Sequence, residues 1–224
     1  MIGFFQLYVT HWEDWWPDLR DAAGNTLLLT LCAFAIALLV GLLLALAKLS
    51  RSGLISRSAT VFIEIMRGVP TLVILFILYF GIVPIGITLD AFVASILGLG
   101  IHAGAYVAEI FRGGIQSIHR GQREAAVAVG MTPLQSLRYI ILPQAVAVML
   151  PPLINMLVLV LKDTSVCSLV AAPEIMLRAK DLASTYFQPL HLYVLAGVMY
   201  FGMAWPLSLL ARVWARRRGR GRRV

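Results

Sequence analysis

Charge is scarce in this sequence, and that scarcity sorts it at once. Only 13% of the 224 residues are Asp, Glu, Lys or Arg, against 60% apolar residues, and the mean hydropathy is +0.85. Soluble domains carry about a quarter of their residues as charges, so a water-surrounded globule is excluded and a membrane chain remains. Cysteine is nearly absent: Cys32 and Cys167 read as two structural thiols, with no spacing that calls for a disulfide or a metal site. His11, His102, His119 and His191 do not cluster at ligand spacing, and no HExxH, CxxC or GxSxG occurs. An enzyme, a bound metal and a cofactor are therefore not expected. There is also no GxxxxGK[ST] loop to cradle a nucleotide's phosphates, so energy for any active process must come from a gradient or a separate ATPase. The first twenty residues lack the basic n-region and small-residue cleavage site of a signal peptide and are expected to stay on the mature protein. Sequence repeats with a period of 20 to 50 residues are missing too, and an inverted repeat cannot fit into an odd number of spans. A self-sufficient secondary transporter is disfavoured; half of a pore, completed by a second subunit, fits better.

What the chain has in abundance is apolar length. Five segments, about 27–47, 68–89, 91–110, 142–161 and 189–211, can each cross roughly 30 Å of hydrocarbon. Pro151-Pro152 is expected to kink the fourth. Before the first span stand Glu13, Asp14, Asp18 and Asp21 against Arg20, and after it Lys48, Arg51 and Arg57. The segment after the third span holds Arg112, Arg120, Arg123 and Arg138, and seven of the nineteen basic residues fall between Arg212 and Arg223. This alternation places the N-terminus outside and the C-terminus in the cytoplasm. The reading is an all-α membrane protein with five transmembrane helices: an external interfacial segment 1–23, a membrane domain 24–212 with a cytoplasmic loop 112–141, and a basic tail 213–224. The tail reads as an anchor at an anionic lipid leaflet rather than a nucleic-acid site, because no recognition module accompanies it. Trp12, Trp15 and Trp16 read as an aromatic belt, with residues 10–21 along the membrane surface or serving as a docking face. Asn25 and Thr26 are expected to mark the turn into the first span.

The most organised polar stretch is EAAVAVGMTPLQSLRYIILP, from Glu124 to Pro143. A short amphipathic helix is expected to end at Gly130, and a second begins where Thr132, Pro133 and Gln135 take the N-cap, N1 and N3 places of a capping box. Gln122, Ala125, Ala126 and Val129 share or adjoin one helical face. The small alanines permit close approach to a partner groove, and Arg123 and Glu124 supply charge at its rim. Periodicity alone equally allows a solvated hairpin whose alanines serve helix propensity.

Glu124-Ala125-Ala126, Gly130, Ile140 and Leu142-Pro143, at their spacing, resemble the EAA motif of bacterial ABC-importer membrane subunits. Arg67-Gly68-Val69-Pro70 resembles the same family's R-G-[TV]-P motif. The runs Ala108 to Ile115 and Lys162-Asp163-Thr164-Ser165 look like the branch that handles polar amino acids. The likeness covers about residues 24–212. It implies the type I ABC importer transmembrane-domain fold, a multi-pass place in the inner membrane, and a cytoplasmic coupling helix seated in a separate ATPase subunit. It also implies a second permease subunit, an external solute-binding protein and a polar amino acid substrate. A permease for another small polar solute, such as an opine or sulfur compound, stays open, as does a passive pore or scaffold.

Polar groups in or beside the spans are the candidates for the translocation path, since they are costly in lipid. Asp163 offers a carboxylate for an amino group, Thr164 and Ser165 offer hydroxyls, and Asn155 precedes them by two helical turns. The resemblance implies that this motif sits near a central cavity. The alternative is that Lys162 and Asp163 anchor at the interface while Thr164 and Ser165 cap the next helix. Tyr106 shares a face with His102 and either touches the path or pairs between helices. Glu109 with Arg112, and Glu64 with Arg67, read as i, i+3 ion pairs, with a gate role open for the first.

Overall fold

The computed structural model describes residues 3–220; the last part of the basic tail, 221–224, lies outside them. The described residues form helices and no strand. The first, α1, is one uninterrupted helix from Phe4 to Lys48, 45 residues long. The expected turn at Asn25 and Thr26 is not there: Thr26 Oγ1 donates to Ala22 O, 2.9 Å away, inside the helix. Residues 10–21 likewise continue the axis of the first span and do not form a separate surface helix. Trp15 is fully buried, in a cluster with Leu19 and Ala22 of α1 that closes on two later helices. It is a core residue and not part of a lipid-facing belt, whereas Trp12 and Trp16 stay exposed and stack on each other at 5.0 Å.

The second span departs most from expectation. A helix α2, Gly53–Gly68, precedes it, and a 105° bend separates α2 from the helical stretch that follows. The cause is local. Pro70 holds Val69 extended (φ −94°, ψ 133°), so the helix cannot cross it. α3, Thr71–Phe76, then restarts the chain, widens into a π turn at Ile77–Gly81 and tightens at Val83–Ile85. Pro84 lacks the N–H that a regular turn would need there. The structure thus has four helices long and apolar enough to span, and a fifth span if the bent pair is taken as one.

α4, Ala91–Gln116, runs parallel to α1 and packs on it more extensively than any other pair. The seam is made of small residues. Ala33, Ala37, Gly41 and Ala45 recur every fourth residue on α1, and Gly100, Gly104 and Ala108 do so on α4. A Cβ on Gly100 would stand 2.7 Å from Ile36 Cβ, and one on Gly104 would stand 2.8 Å from Val40 Cγ1. Such backbone proximity is how helices associate in lipid, where no hydrophobic force separates helix from solvent.

α5, Arg120–Ala128, and α6, Pro133–Gln135, form the loop. A π turn at Ser136–Ile141 joins α6 to α7, Leu142–Asp163, so the loop's second helix merges with the fourth span. Pro143, which has no N–H for the preceding turn, accounts for the widening. The chain stays helical through Pro151 and Pro152. A 3₁₀ stretch, Thr164–Val170, then leads to α8, Ile175–Tyr186, and α9, Pro189–Arg220. The main core joins Leu29, Ala33 and Ala37 to Leu99, Ala103, Val107, Met156 and Val160. A second core, around Trp15, lies at the far end of the molecule from the loop and joins α1, α8 and α9.

Candidate functional site

Two regions carry the chemistry, one at each end of the helices. At the loop end, α5 starts with His119, whose Nδ1 accepts from Gly121 N at 3.1 Å. It stops at Gly130, where φ is +79°. Met131 N donates to Ala126 O at 3.0 Å and Gly130 N to Val127 O at 2.9 Å. Those two bonds make a Schellman closure, which needs a left-handed residue and so favours glycine. The next helix opens with the expected capping box: Thr132 N donates to Gln135 Oε1 (2.8 Å), and Gln135 N to Thr132 Oγ1 (3.3 Å). Stop and start signals two residues apart fold α5 back onto the π turn.

This folding corrects the expected docking face. Ala126 is only 3% exposed, so it is spent on holding α5 against the chain's own helix rather than offered to a partner. Gln122 faces the same way, accepting from Gln144 Nε2 at 3.1 Å. The outward side instead carries Arg123, Glu124 and Ala125 with Val127 (69% exposed), Val129 and, beyond the turn, Leu134 (73%). Arg120, Arg123 and Glu124 border a cleft of about 400 Å³ against Ile115, Gln116 and Ile118. An apolar ridge flanked by charges suits a protein groove.

Above the loop, Glu109 joins α4 to the end of α1. Its carboxylate receives Lys48 Nζ at 2.7 Å on one oxygen, and Arg112 Nη2 at 2.7 Å and Nε at 3.0 Å on the other. The Glu109–Arg112 pair is as expected; Lys48, 61 residues away, could not be read from spacing. Glu64 and Arg67 approach only to 3.9 Å. The Arg67 guanidinium lies 5.3 Å over the Tyr106 ring instead, and the Tyr106 hydroxyl donates to Arg67 O at 3.3 Å. Tyr106 therefore holds the bend between α2 and α3.

The path candidates do not share one face. Asn155 and Lys162, two turns apart on α7, line a groove of about 720 Å³ with Tyr200, Trp205, Ser208 and Arg212 of α9. Asp163 is half-buried beside it. Thr164 is fully buried and donates to Leu161 O at 2.8 Å, and Ser165 donates to Lys162 O at 2.7 Å. They extend the helix end and do not cap a following helix.

Comparison with known proteins decides the family. Residues 37–224 match the family described as binding-protein-dependent transport system inner membrane component. The chain belongs to this family. It is 37% identical over 198 residues to the probable amino-acid ABC transporter permease protein YckA of Bacillus subtilis, covering 88% of this chain and 86% of that one. It is 34% identical over 212 residues to the glutamine transport system permease protein GlnP of Escherichia coli, covering 92% and 96%. The fold matches a crystal structure of an amino acid ABC transporter with histidines, with a TM-score of 0.88 and 34% identity over 97% of this chain and 99% of that one.

For this inner-membrane transport component, sequence reasoning missed one group altogether. Glu174 is the one fully buried carboxylate among the described residues. It caps α8, accepting from Met176 N (2.9 Å) and Leu177 N (2.7 Å), and it also accepts the Tyr200 hydroxyl of α9. Burial pushes its carboxyl above the usual carboxylate range, against the pull of those three donors. Pro173 just ahead of the amphipathic run Ile175–Tyr186 was the available signal of a helix start; nothing in it announced Glu174 as the cap or its partner on α9.

Proposed function

We propose that this chain is one of two permease subunits of an ATP-driven importer of polar amino acids. It transports without binding nucleotide; a separate ATPase pair hydrolyses ATP. The observation that carries the reading is the loop between α4 and α7. A helix that stops at a left-handed glycine and restarts at a capping box presents Arg123, Glu124, Val127 and Leu134 outward beyond the spans. That ridge is the coupling surface, and the face placing it in the cytoplasm is the one with the Arg-rich segments. The amino-acid and glutamine permeases among its relatives support the substrate class.

In this mechanism a loaded binding protein docks at the opposite, external end, where the acidic stretch of α1 from Glu13 to Asp21 and helix α8 lie. Closure of the ATPase pair pushes on α5. The push reaches α4 and α1 through the Glu109 ion pairs and opens the path outward, and hydrolysis resets it. Asp163 is the carboxylate placed to meet a substrate amino group, with Asn155 farther along the route.

The test is site-directed cross-linking. A cysteine at Val127, on the exposed ridge, should join an ATPase subunit copurified in mild detergent, while one at buried Ala126 should not. Failure to capture any Walker-motif ATPase from the native membrane would leave a passive scaffold as the better reading.

A further inference from the structure

Four polar residues from four segments meet at the external end. Thr26 of α1 accepts Ile175 N of α8 through Oγ1 at 3.2 Å. Glu174, at the start of α8, accepts the Tyr200 hydroxyl of α9. That same hydroxyl lies 3.5 Å from Thr164 Oγ1, at the end of α7. Thr26, Thr164 and Glu174 are each fully buried. The chain between Thr164 and Glu174 is itself closed by short bonds: Ala172 N to Cys167 O at 3.1 Å and Glu174 N to Ala172 O at 2.9 Å. Asp163, the residue before Thr164, is thus one peptide unit from a cross-braced knot. α8 also reaches the surface, where Arg178 pairs with Asp18 of α1 at 3.7 Å.

A buried carboxylate held by three donors is an expensive way to cap one surface helix. An exposed Ser or Asp would cap α8 without a desolvation penalty. What the buried arrangement adds is direction: the hydroxyl of Tyr200 has a single proton, which it commits to Glu174, and so α8 cannot shift against α9 without breaking that bond, while α9 in turn packs on α7 through Ala204 against Val158 and Leu161. We infer that Glu174 and Tyr200 are positioning residues of the transport cycle, passing displacement of α8 by an external binding protein to the Asp163–Thr164 end of α7. This rests on the importer reading above. Glu174 is fully buried and out of reach of a substrate, whereas Tyr200 also borders the groove that Asn155 lines, so the Glu174 variants separate the link from a direct contact.

The assembled complex, reconstituted with its ATPase and binding protein, provides the test. Tyr200→Phe removes one hydroxyl and keeps the ring's packing. It should leave assembly and basal ATPase within twofold of wild type, while the stimulation of ATPase by loaded binding protein falls about tenfold. Glu174→Gln keeps an acceptor oxygen for that hydroxyl and should retain most of the stimulation; Glu174→Ala removes the acceptor and should lose it, and adding Tyr200→Phe to Glu174→Ala should lower it no further, because both break one link. Unchanged stimulation in Tyr200→Phe overturns the inference. So does an equal loss of basal and stimulated rates with a lower melting temperature, which would mean the pair only holds the fold.

A wild-type complex that no binding protein stimulates would defeat the importer reading instead. The positioning link is still measured there by hydrogen exchange on the permease. Tyr200→Phe should speed exchange of amides at 163–177 and leave those at 120–141 unaltered; identical exchange in both variant and wild type refutes the link.

Discussion

At the scale of single residues, a few of this protein's charges tie one helix to another. Glu109 is the clearest case, with one oxygen for Lys48 and the other for Arg112, all three groups largely removed from water. Glu109→Ala strands two cations at half-buried positions. The expected loss is roughly 2 kcal/mol, between the small worth of an exposed pair and the larger penalty of breaking a buried one. Thermal unfolding in detergent should show it as a drop of several degrees, and Lys48→Met added to Glu109→Met should recover part of that drop. Gly130 is the second case. With φ at +79°, Gly130→Ala should cost about 1 kcal/mol of loop stability and Gly130→Pro more. Proline cannot adopt that φ, and it deletes the N–H that Val127 O accepts. Uptake should weaken in the first and vanish in the second with normal membrane levels; full uptake in Gly130→Pro would remove the loop from the mechanism.

At the scale of elements, the seam between α1 and α4 shows what spacing can and cannot reveal. Each helix was legible as a span from apolar length alone, because lipid demands length. Which span lies beside which was not legible, since small residues every fourth position occur on any face that packs closely. The structure assigns the partners: Gly100 against Ala33 and Ile36, Gly104 against Ala37 and Val40. Gly104→Val should therefore separate the two helices and lower stability by about 1 to 3 kcal/mol through overpacking. The same change at Gly197, which has open space around it, should be silent in the same unfolding measurement. The capping box at Thr132 was legible to the residue, because both its halves lie within four positions. The inward turn of Ala126 was not, because a helical face of small residues looks the same whether it meets its own chain or another. The continuous α1 was misread for a related reason: an acidic, Trp-rich stretch resembles an interfacial segment until Trp15 is seen buried between α8 and α9. The bend at Val69-Pro70 had its signal in the proline, yet neither its 105° nor the Tyr106 hydroxyl that meets Arg67 O beside it, 39 residues away, could be read from spacing.

At the scale of the whole molecule, the two functional ends are separated by the length of the spans, and each has its own core. The cluster of Trp15, Ile175 and Leu192 shares no residue with that of Ala45, Ile63 and Ala108 near the Glu109 ion pairs. Substitutions at opposite ends should accordingly be additive in stability while differing in function. Glu124→Arg reverses a charge on the outward rim of α5, where nothing in the chain's own interior depends on it. It should leave the protein inserted and folded, reduce retention of the ATPase, and abolish coupled uptake. Asp163→Ala removes the half-buried carboxylate at the other end of α7. It should leave ATPase retention near wild type and cut uptake at least tenfold. Both variants should therefore lose uptake, and only Glu124→Arg should lose retention with it. If both variants lose both properties equally, with melting temperatures lowered in parallel, then each has unfolded the permease and neither end has been assigned its role. If Asp163→Ala transports normally, Asp163 does not meet the substrate, and Asn155, in the groove between α7 and α9, becomes the residue to test.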